Sequence, residues 1–220
     1  LVLERLINLP TNVSLGDTVE LGEAILKRTS VRYFEERDVP EDAIKALIEA
    51  AVRAPTASSL ENWLFVVFRS EEAREKIYHL IARGMEEYYR AVNLSEEKIE
   101  KLRKKMYERG MYRAPVYIAV FIDKRVRFLE GEEFDELEFL WSVESAAMAI
   151  QNLMLKAVEL GLGTVYIGVT NFRGIEEQVR TLAGLDENYY LVGVIPLGYP
   201  LEKAAPRKRR KTLEQVTRFI

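Results

Sequence analysis

The chain has 220 residues, 48% of them hydrophobic and 30% charged, with a formal net charge of −3. That balance fits a single soluble globular domain over 1–220 with one sizeable core and little room for a second. No cysteine and one histidine, His79, occur, which excludes a thiol nucleophile and a Cys/His zinc site and leaves a serine relay only His79 to run through.

The first ten residues, Leu1–Pro10, are broken by charge at Glu4 and Arg5 and lack the apolar centre of a signal peptide. With no disulfide possible, nothing argues for secretion, and a cytoplasmic protein is expected. The start at Leu1 rather than Met suggests a trimmed or re-engineered beginning. Glu20 to Lys27 predicts a short helix with Leu21, Ala24, Ile25 and Arg28 on one face. Arg28, Thr29, Ser30 and Arg32 follow, two guanidiniums and two hydroxyls within five residues, a set suited to gripping an anion. A helix C-terminus carries partial negative charge, so an anion held there needs full positive charges, and the two arginines supply them. Val31 to Phe34 reads as extended. Pro40 opens the next helix, whose stripe of Ile44, Leu47, Ile48 and Ala51 must end before Pro55. Thr56, Ser58 and Ser59 form a small polar loop leading into a buried strand, Trp63–Phe68.

Residues 70–112 predict two charged helical stretches parted near Asn93, Leu94 and Ser95, with apolar stripes thin enough that a lid or arm outside the core is expected. His79 falls in the first stretch, with no serine in a strained turn nearby, and reads as a half-exposed surface residue. Any catalysis is therefore expected to be carried by something the chain binds. Tyr88, Tyr89, Tyr107 and Tyr112 either line a flat slot or pack ordinarily. A second buried strand spans Val116–Ile122. The longest helix runs from Asp135 to Leu160, about 39 Å, and Gly161 stops it. Glu138, Glu144, Gln151, Asn152 and Lys156 interrupt every apolar window, so it is a core or dimer helix rather than a membrane span. Glu144 is either a site residue or, the favoured reading, an exposed or paired interface carboxylate. Strands are predicted at Thr164–Gly168 and Tyr189–Leu197. Gly161, Gly163 and Gly168 miss the dinucleotide-binding spacing, and a strand follows where that motif needs a helix. The extension 201–220 carries a basic run, Arg207 to Lys211, read as a solvated tail because it lacks interleaved aromatics and the chain is acidic overall. Strands and helices alternate irregularly, which gives α+β with a mixed sheet.

Four segments taken in register carry further information. Arg28 to Arg32, Ala54 to Trp63, Gln151 to Thr164, and Gly198-Tyr199-Pro200 followed by Lys208 and Arg210 occur in an order and spacing that resemble the nitroreductase family, flavoproteins that bind FMN. The resemblance spans residue 21 to about 216. It implies a mixed, mostly antiparallel sheet flanked by helices, in an intertwined homodimer with FMN at the subunit interface and no catalytic side chain. Arg28, Thr29, Ser30 and Arg32 match the first FMN motif, with Arg28 and Ser30 on phosphate or ribityl oxygens and Arg32 nearer the ring. Lys208 and Arg210 match the basic pair that closes on the same phosphate. Pro55, Thr56, Ala57 and Ser59 match the loop that reaches the flavin from the other subunit, and Ile167 and Gly168 match the strand-end loop whose backbone approaches the ring near N5. Where the family often has Asn and then Gln-Pro-Trp, this chain has Ser59 and then Glu61-Asn62-Trp63. Glu61 is expected to turn away from the flavin or to pair with an arginine. Family contacts from the 70–112 region stay unassigned. The implied activity is ping-pong hydride transfer from NAD(P)H to FMN and on to a nitroaromatic or quinone, with no nucleic acid or membrane involved. Two alternatives stand beside it: a flavoprotein of the same fold that uses reduced FMN without NAD(P)H, and a basic-tailed nucleic-acid-binding module.

Overall fold

The computed structural model describes residues 19–172, 174–201 and 210–220. The amino-terminal segment discussed above and Lys208 lie outside the described residues. The elements in chain order are α1 (Leu21–Lys27), α2 (Glu41–Ala51), β1 (Trp63–Phe68), α3 (Glu71–Ala91), α4 (Glu96–Arg103), β2 (Val116–Asp123), α5 (Asp135–Glu159), β3 (Gly163–Thr164), α6 (Ile175–Leu182) and β4 (Tyr189–Gly198).

The four strands form one sheet in the order β1-β2-β4-β3, all antiparallel neighbours. A parallel bridge from Ser30 to Thr164 makes the sheet mixed at its far edge. Central β2 is buried from Val116 to Ile122, and its side chains alternate between two cores. Val116, Ile118, Val120 and Ile122 face a cluster built with α2 and α5, through Ile44, Leu47, Ile150 and Leu153. Tyr117, Ala119 and Phe121 face a second cluster built with α3 and α6, through Ile77, Tyr78, Ile81, Ile175 and Val179. The period of two along one strand thus anchors both helical layers. The molecule is α+β, as its irregular alternation of elements predicts.

Two expectations need correction. The helices of 70–112 contribute to core: Ile77, Tyr78, Ile81, Ile99, Leu102 and Met106 are almost fully buried, and the Tyr78 hydroxyl donates to the Met106 carbonyl. The stripe is thin, but its large residues are enough to roof the second face of the sheet. The strand expected over Thr164–Gly168 stops at Thr164, with one further bridge at Ile167. There the chain bends, because the Tyr166 ring lies across β4 at Gly193, where a Cβ would come within 2.6 Å of the ring.

α5 ends where Gly161 adopts a left-handed conformation (φ 68°). Its first turn carries a buried carboxylate. The Phe128 and Leu129 amides both donate to Glu138 Oε1 at 2.7 Å, and Arg127 Nε donates to Oε2 at 2.9 Å. Burial pushes the Glu138 carboxyl up, but the two amides and Arg127 outweigh it and hold it below the usual carboxylate range. A carboxyl held low stabilises the fold above its unfolded pKa of about 4.3, and the contribution is lost as pH falls through the folded value. Glu138→Gln should therefore cost about 1–3 kcal/mol in urea unfolding at neutral pH. The gap to the parent should close below about pH 4; a gap that stays constant into acid would exclude the carboxylate as its source.

Candidate functional site

The Arg28 cluster is fixed by backbone rather than by side-chain pairing. Arg28 caps α1 by donating its amide to the Ala24 carbonyl at 2.9 Å. The chain then joins the sheet: the Val31 amide donates to the Thr164 carbonyl at 3.0 Å, and Ser30 bridges Thr164. Gly163 makes this approach possible, since a Cβ there would sit 2.9 Å from the Val31 Cβ. Further along, Phe34 bridges Pro200 and the Leu201 amide donates to the Tyr33 carbonyl at 3.0 Å. Leu201 is therefore held next to Tyr33, beside the cluster.

Arg28, Thr29, Ser30 and Arg32 are all half-buried. Arg32 donates from Nη1 to the Ser30 carbonyl at 3.1 Å. Among the described residues no carboxylate lies within ion-pair distance of Arg28 or Arg32. Several arginines elsewhere are paired with carboxylates: Arg103 bridges Glu86 and Glu100, and Arg127 bridges Asp135 and Glu138. Two half-buried guanidiniums beside two hydroxyls form a donor set with positive charge to spare, which suits a phosphate or an electron-rich ring.

β3 links this cluster to the second expected element. Ile167 is buried and its backbone pairs with Val194, while Gly168 is exposed. The turn after it, Val169–Asn171, is held by the Thr170 hydroxyl on the Ile167 carbonyl at 3.1 Å and by Asn171 Nδ2 on the Val192 carbonyl at 3.2 Å. Tyr166 donates to the Val192 carbonyl at 2.6 Å, and burial, with Tyr190 nearby, pushes its hydroxyl up, so it stays protonated at neutral pH. α3 packs on the same turn: a Cβ at Gly84 would meet the Val169 carbonyl oxygen at 2.8 Å. Tyr88, beside Tyr89 on α3, meets Phe172 edge-on at 6.4 Å. Tyr112 is buried in the core, and Tyr107 stacks against His79, whose side chain is exposed at the helix surface as expected.

The third element lies elsewhere. Pro55, Thr56, Ala57 and Ser59 belong to a loop pinned onto α5, where the Ala57 amide donates to Ser145 Oγ at 3.1 Å and Asn62 Nδ2 donates to Ser142 Oγ at 2.9 Å. Thr56 Oγ1 accepts the Glu61 amide at 3.1 Å. Ser58, Ser59 and Glu61 all have positive φ, of 47°, 56° and 46°, a conformation that costs non-glycine residues about 1–3 kcal/mol each and is commonest at functional sites. Glu61 is exposed, with no arginine at ion-pair distance among the described residues. Glu144 is exposed as well. Ser142, Ser145 and Asn62 escape the sequence reading; the one available signal is a pair of serines three residues apart on the apolar stripe of α5.

The loop precedes Trp63, which pairs with Ile122 at one end of β2, whereas Ser30 joins Thr164, which pairs with Leu197 opposite Val116 at the other end. These positions are roughly 20 Å apart along the strand direction, at about 3.3 Å per residue, and lie on opposite edges of the sheet. One chain thus brings Arg28, Thr29, Ser30 and Arg32 onto the same edge as Ile167 and Gly168, but not Pro55 to Ser59. Arg210 is exposed, with no hydrogen bond or ion pair to the cluster among the described residues. Among the described residues, a cavity of about 360 Å³ lies beside Glu138 and one of about 650 Å³ begins at Tyr33, next to Arg32, without reaching the rest of the cluster.

Known proteins share this architecture. A protein of Methanothermobacter thermautotrophicus carrying the provisional name NADH dehydrogenase/NAD(P)H nitroreductase is 31% identical over 190 residues, 86% of this chain and 82% of that protein. Iodotyrosine deiodinase 1 of Mus musculus is 29% identical over 200 residues, 90% of this chain and 68% of its own length. The crystal structure of a nitroreductase with bound FMN from Bacteroides fragilis superposes with a TM-score of 0.66 at 23% identity, covering 91% of this chain and 99% of that one. The sequence profile of the nitroreductase family matches residues 25–199, and with the fold and the Arg28 cluster in place the chain belongs to that family.

Proposed function

We propose that the chain is an FMN-dependent oxidoreductase that takes hydride from NAD(P)H and delivers it to a small flat acceptor such as a nitroaromatic or a quinone. The observation that carries this reading is the pair of arginines without carboxylate partners, set beside the Thr29 and Ser30 hydroxyls on the sheet edge that also presents Gly168. FMN, the group bound in the Bacteroides fragilis nitroreductase, fits that donor set. Arg28, Thr29 and Ser30 suit its phosphate and ribityl oxygens, and Arg32 suits the electron-rich edge of the ring. Gly168 is exposed, and a Cβ there would meet the Tyr166 ring at 3.2 Å, so glycine lets the backbone of this turn lie close beside that ring. When bound, FMN supplies the redox centre that accepts and returns hydride. The protein supplies binding, orientation and fixed positive charge, which favours the reduced form of the cofactor.

The active species in this reading is a homodimer. The separation of the Pro55–Ser59 loop from Arg28 along β2 means that one chain presents only part of the expected site. A second copy would supply the missing loop. α5 exposes Leu137, Leu140 and Met148, α1 exposes Leu21 and Leu26, and the tail exposes Leu213, Val216 and Phe219, apolar surface suited to burial between copies. Lys208 and Arg210 complete the phosphate grip in the same proposal. The helices of 70–112 cover the acceptor side, with Tyr88 and Phe172 nearest to the Gly168 turn.

Purified protein should be yellow, should bleach on mixing with NADH or NADPH, and should show ping-pong kinetics with a nitroaromatic. A flavin spectrum that never bleaches would favour the second reading, in which reduced FMN serves another redox reaction, as the likeness to iodotyrosine deiodinase 1 allows. Charge-assisted contacts to phosphate typically contribute about 1.5–3 kcal/mol, so Arg28→Ala and Arg210→Ala should each weaken FMN binding about tenfold or more in a fluorescence titration. Full flavin occupancy in both variants would move the anchor elsewhere. Light scattering should give a particle of twice the 25.4 kDa chain mass; a monomer that binds FMN fully would remove the shared site.

A further inference from the structure

Arg32 is held from a direction the sequence does not reveal. Its carbonyl accepts the Tyr112 amide at 2.7 Å, while its own guanidinium returns to the Ser30 carbonyl. Tyr112 is a non-glycine residue in the left-handed region, with φ 69°. Such a conformation costs about 1–3 kcal/mol and persists only where the surroundings over-determine it. Here backbone bonds of the turn are joined by a side-chain group, the hydroxyl of Tyr117, fully buried in β2. It donates to the Tyr112 carbonyl at 2.9 Å and accepts the Ala114 amide at 3.0 Å, closing the turn from inside the core. A phenylalanine would fill the same volume but leave a buried carbonyl and a buried amide without partners.

We propose that Tyr117 is a positioning residue for Arg32: its hydroxyl fixes the turn at Tyr112, the Tyr112 amide fixes the Arg32 backbone, and the guanidinium is thereby held in register with bound flavin. This rests on the reading that Arg32 faces the flavin ring. Tyr117 touches neither the cofactor nor the acceptor and acts through the rigidity of two backbone contacts. A cation held at one place stabilises developing negative charge better than one that wanders, because the fixed group needs no reorganisation when the charge appears.

The test compares the reduction potential of bound FMN in the parent, Tyr117→Phe, Arg32→Ala and the double variant, by reductive titration against a reference dye. Arg32→Ala should weaken the preference for reduced over oxidised flavin about tenfold, a fall of about 30 mV for a two-electron couple. Tyr117→Phe should lower the potential by a smaller amount, with the dissociation constant for oxidised FMN within about twofold of the parent, since the phosphate contacts are untouched. The double variant should fall no further than Arg32→Ala alone, because the two residues act on one interaction. A Tyr117→Phe potential equal to the parent while Arg32→Ala falls, or a fully additive double variant, overturns the inference and leaves the reading of Arg32 intact. An unchanged potential in Arg32→Ala overturns the reading itself, and the inference with it. Should Tyr117→Phe fail to fold, amide hydrogen exchange on the parent decides: the Tyr112 and Ala114 amides should both be strongly protected without flavin, and rapid exchange at Tyr112 overturns the proposed hold on Arg32.

Discussion

β2 is eight residues long, and almost everything else in the molecule is arranged around its two faces and its two ends. Both faces are buried, so each alternate side chain roots a different helical layer, and neither layer can shift without opening a core. Its ends mark the two motifs in register: Trp63, after the Pro55–Ser59 loop, pairs with Ile122, and Thr164, which Ser30 bridges, lies level with Val116 across β4. Because a strand is the least extensible element of a fold, this separation is fixed. The proposed sharing of the site between copies answers this separation.

Charge is distributed to the same end. The helical layers pair several arginines, among them Arg83, Arg90 and Arg103, with neighbouring carboxylates, an arrangement that contributes little individually on an exposed helix. At the sheet edge the arrangement is different: Arg28 and Arg32 are half-buried, their backbones are clamped, and among the described residues no carboxylate pairs with them. Clamping the backbone rather than the guanidinium positions the group without neutralising it. The loop on α5 follows a related logic: three non-glycine residues in left-handed conformations lie between Ala57 and Asn62, which serine hydroxyls of the helix beneath hold in place. In both places the scaffold stores local strain and supplies the hydrogen bonds that stabilise it.

The elements were largely readable before the structure, since their signals are local. The apolar run of Trp63–Phe68, the proline before α2 and the glycine after α5 act within a few residues, and the observed bounds follow them. The errors came where a distant partner decides. Helices 70–112 carry few apolar residues, yet those few are large and meet the sheet, so they become core. The strand expected through Gly168 ends early because Tyr166 finds its place over Gly193, a residue of β4 brought beside it by the sheet.

The sequence by itself determined the chemistry on offer: no thiol, one surface histidine, two arginines with two hydroxyls, and four motifs in a family's order. These are properties of residue type and spacing, which the linear chain carries in full. Only the tertiary structure decided which of them meet. It joined Ser30 and Val31 to Thr164 of β3, set the Pro55–Ser59 loop some six residues away along β2, and placed the Tyr117 hydroxyl under the turn that grips Arg32. Strand register and the orientation of a buried hydroxyl arise from packing between segments far apart in sequence, and no local pattern encodes them.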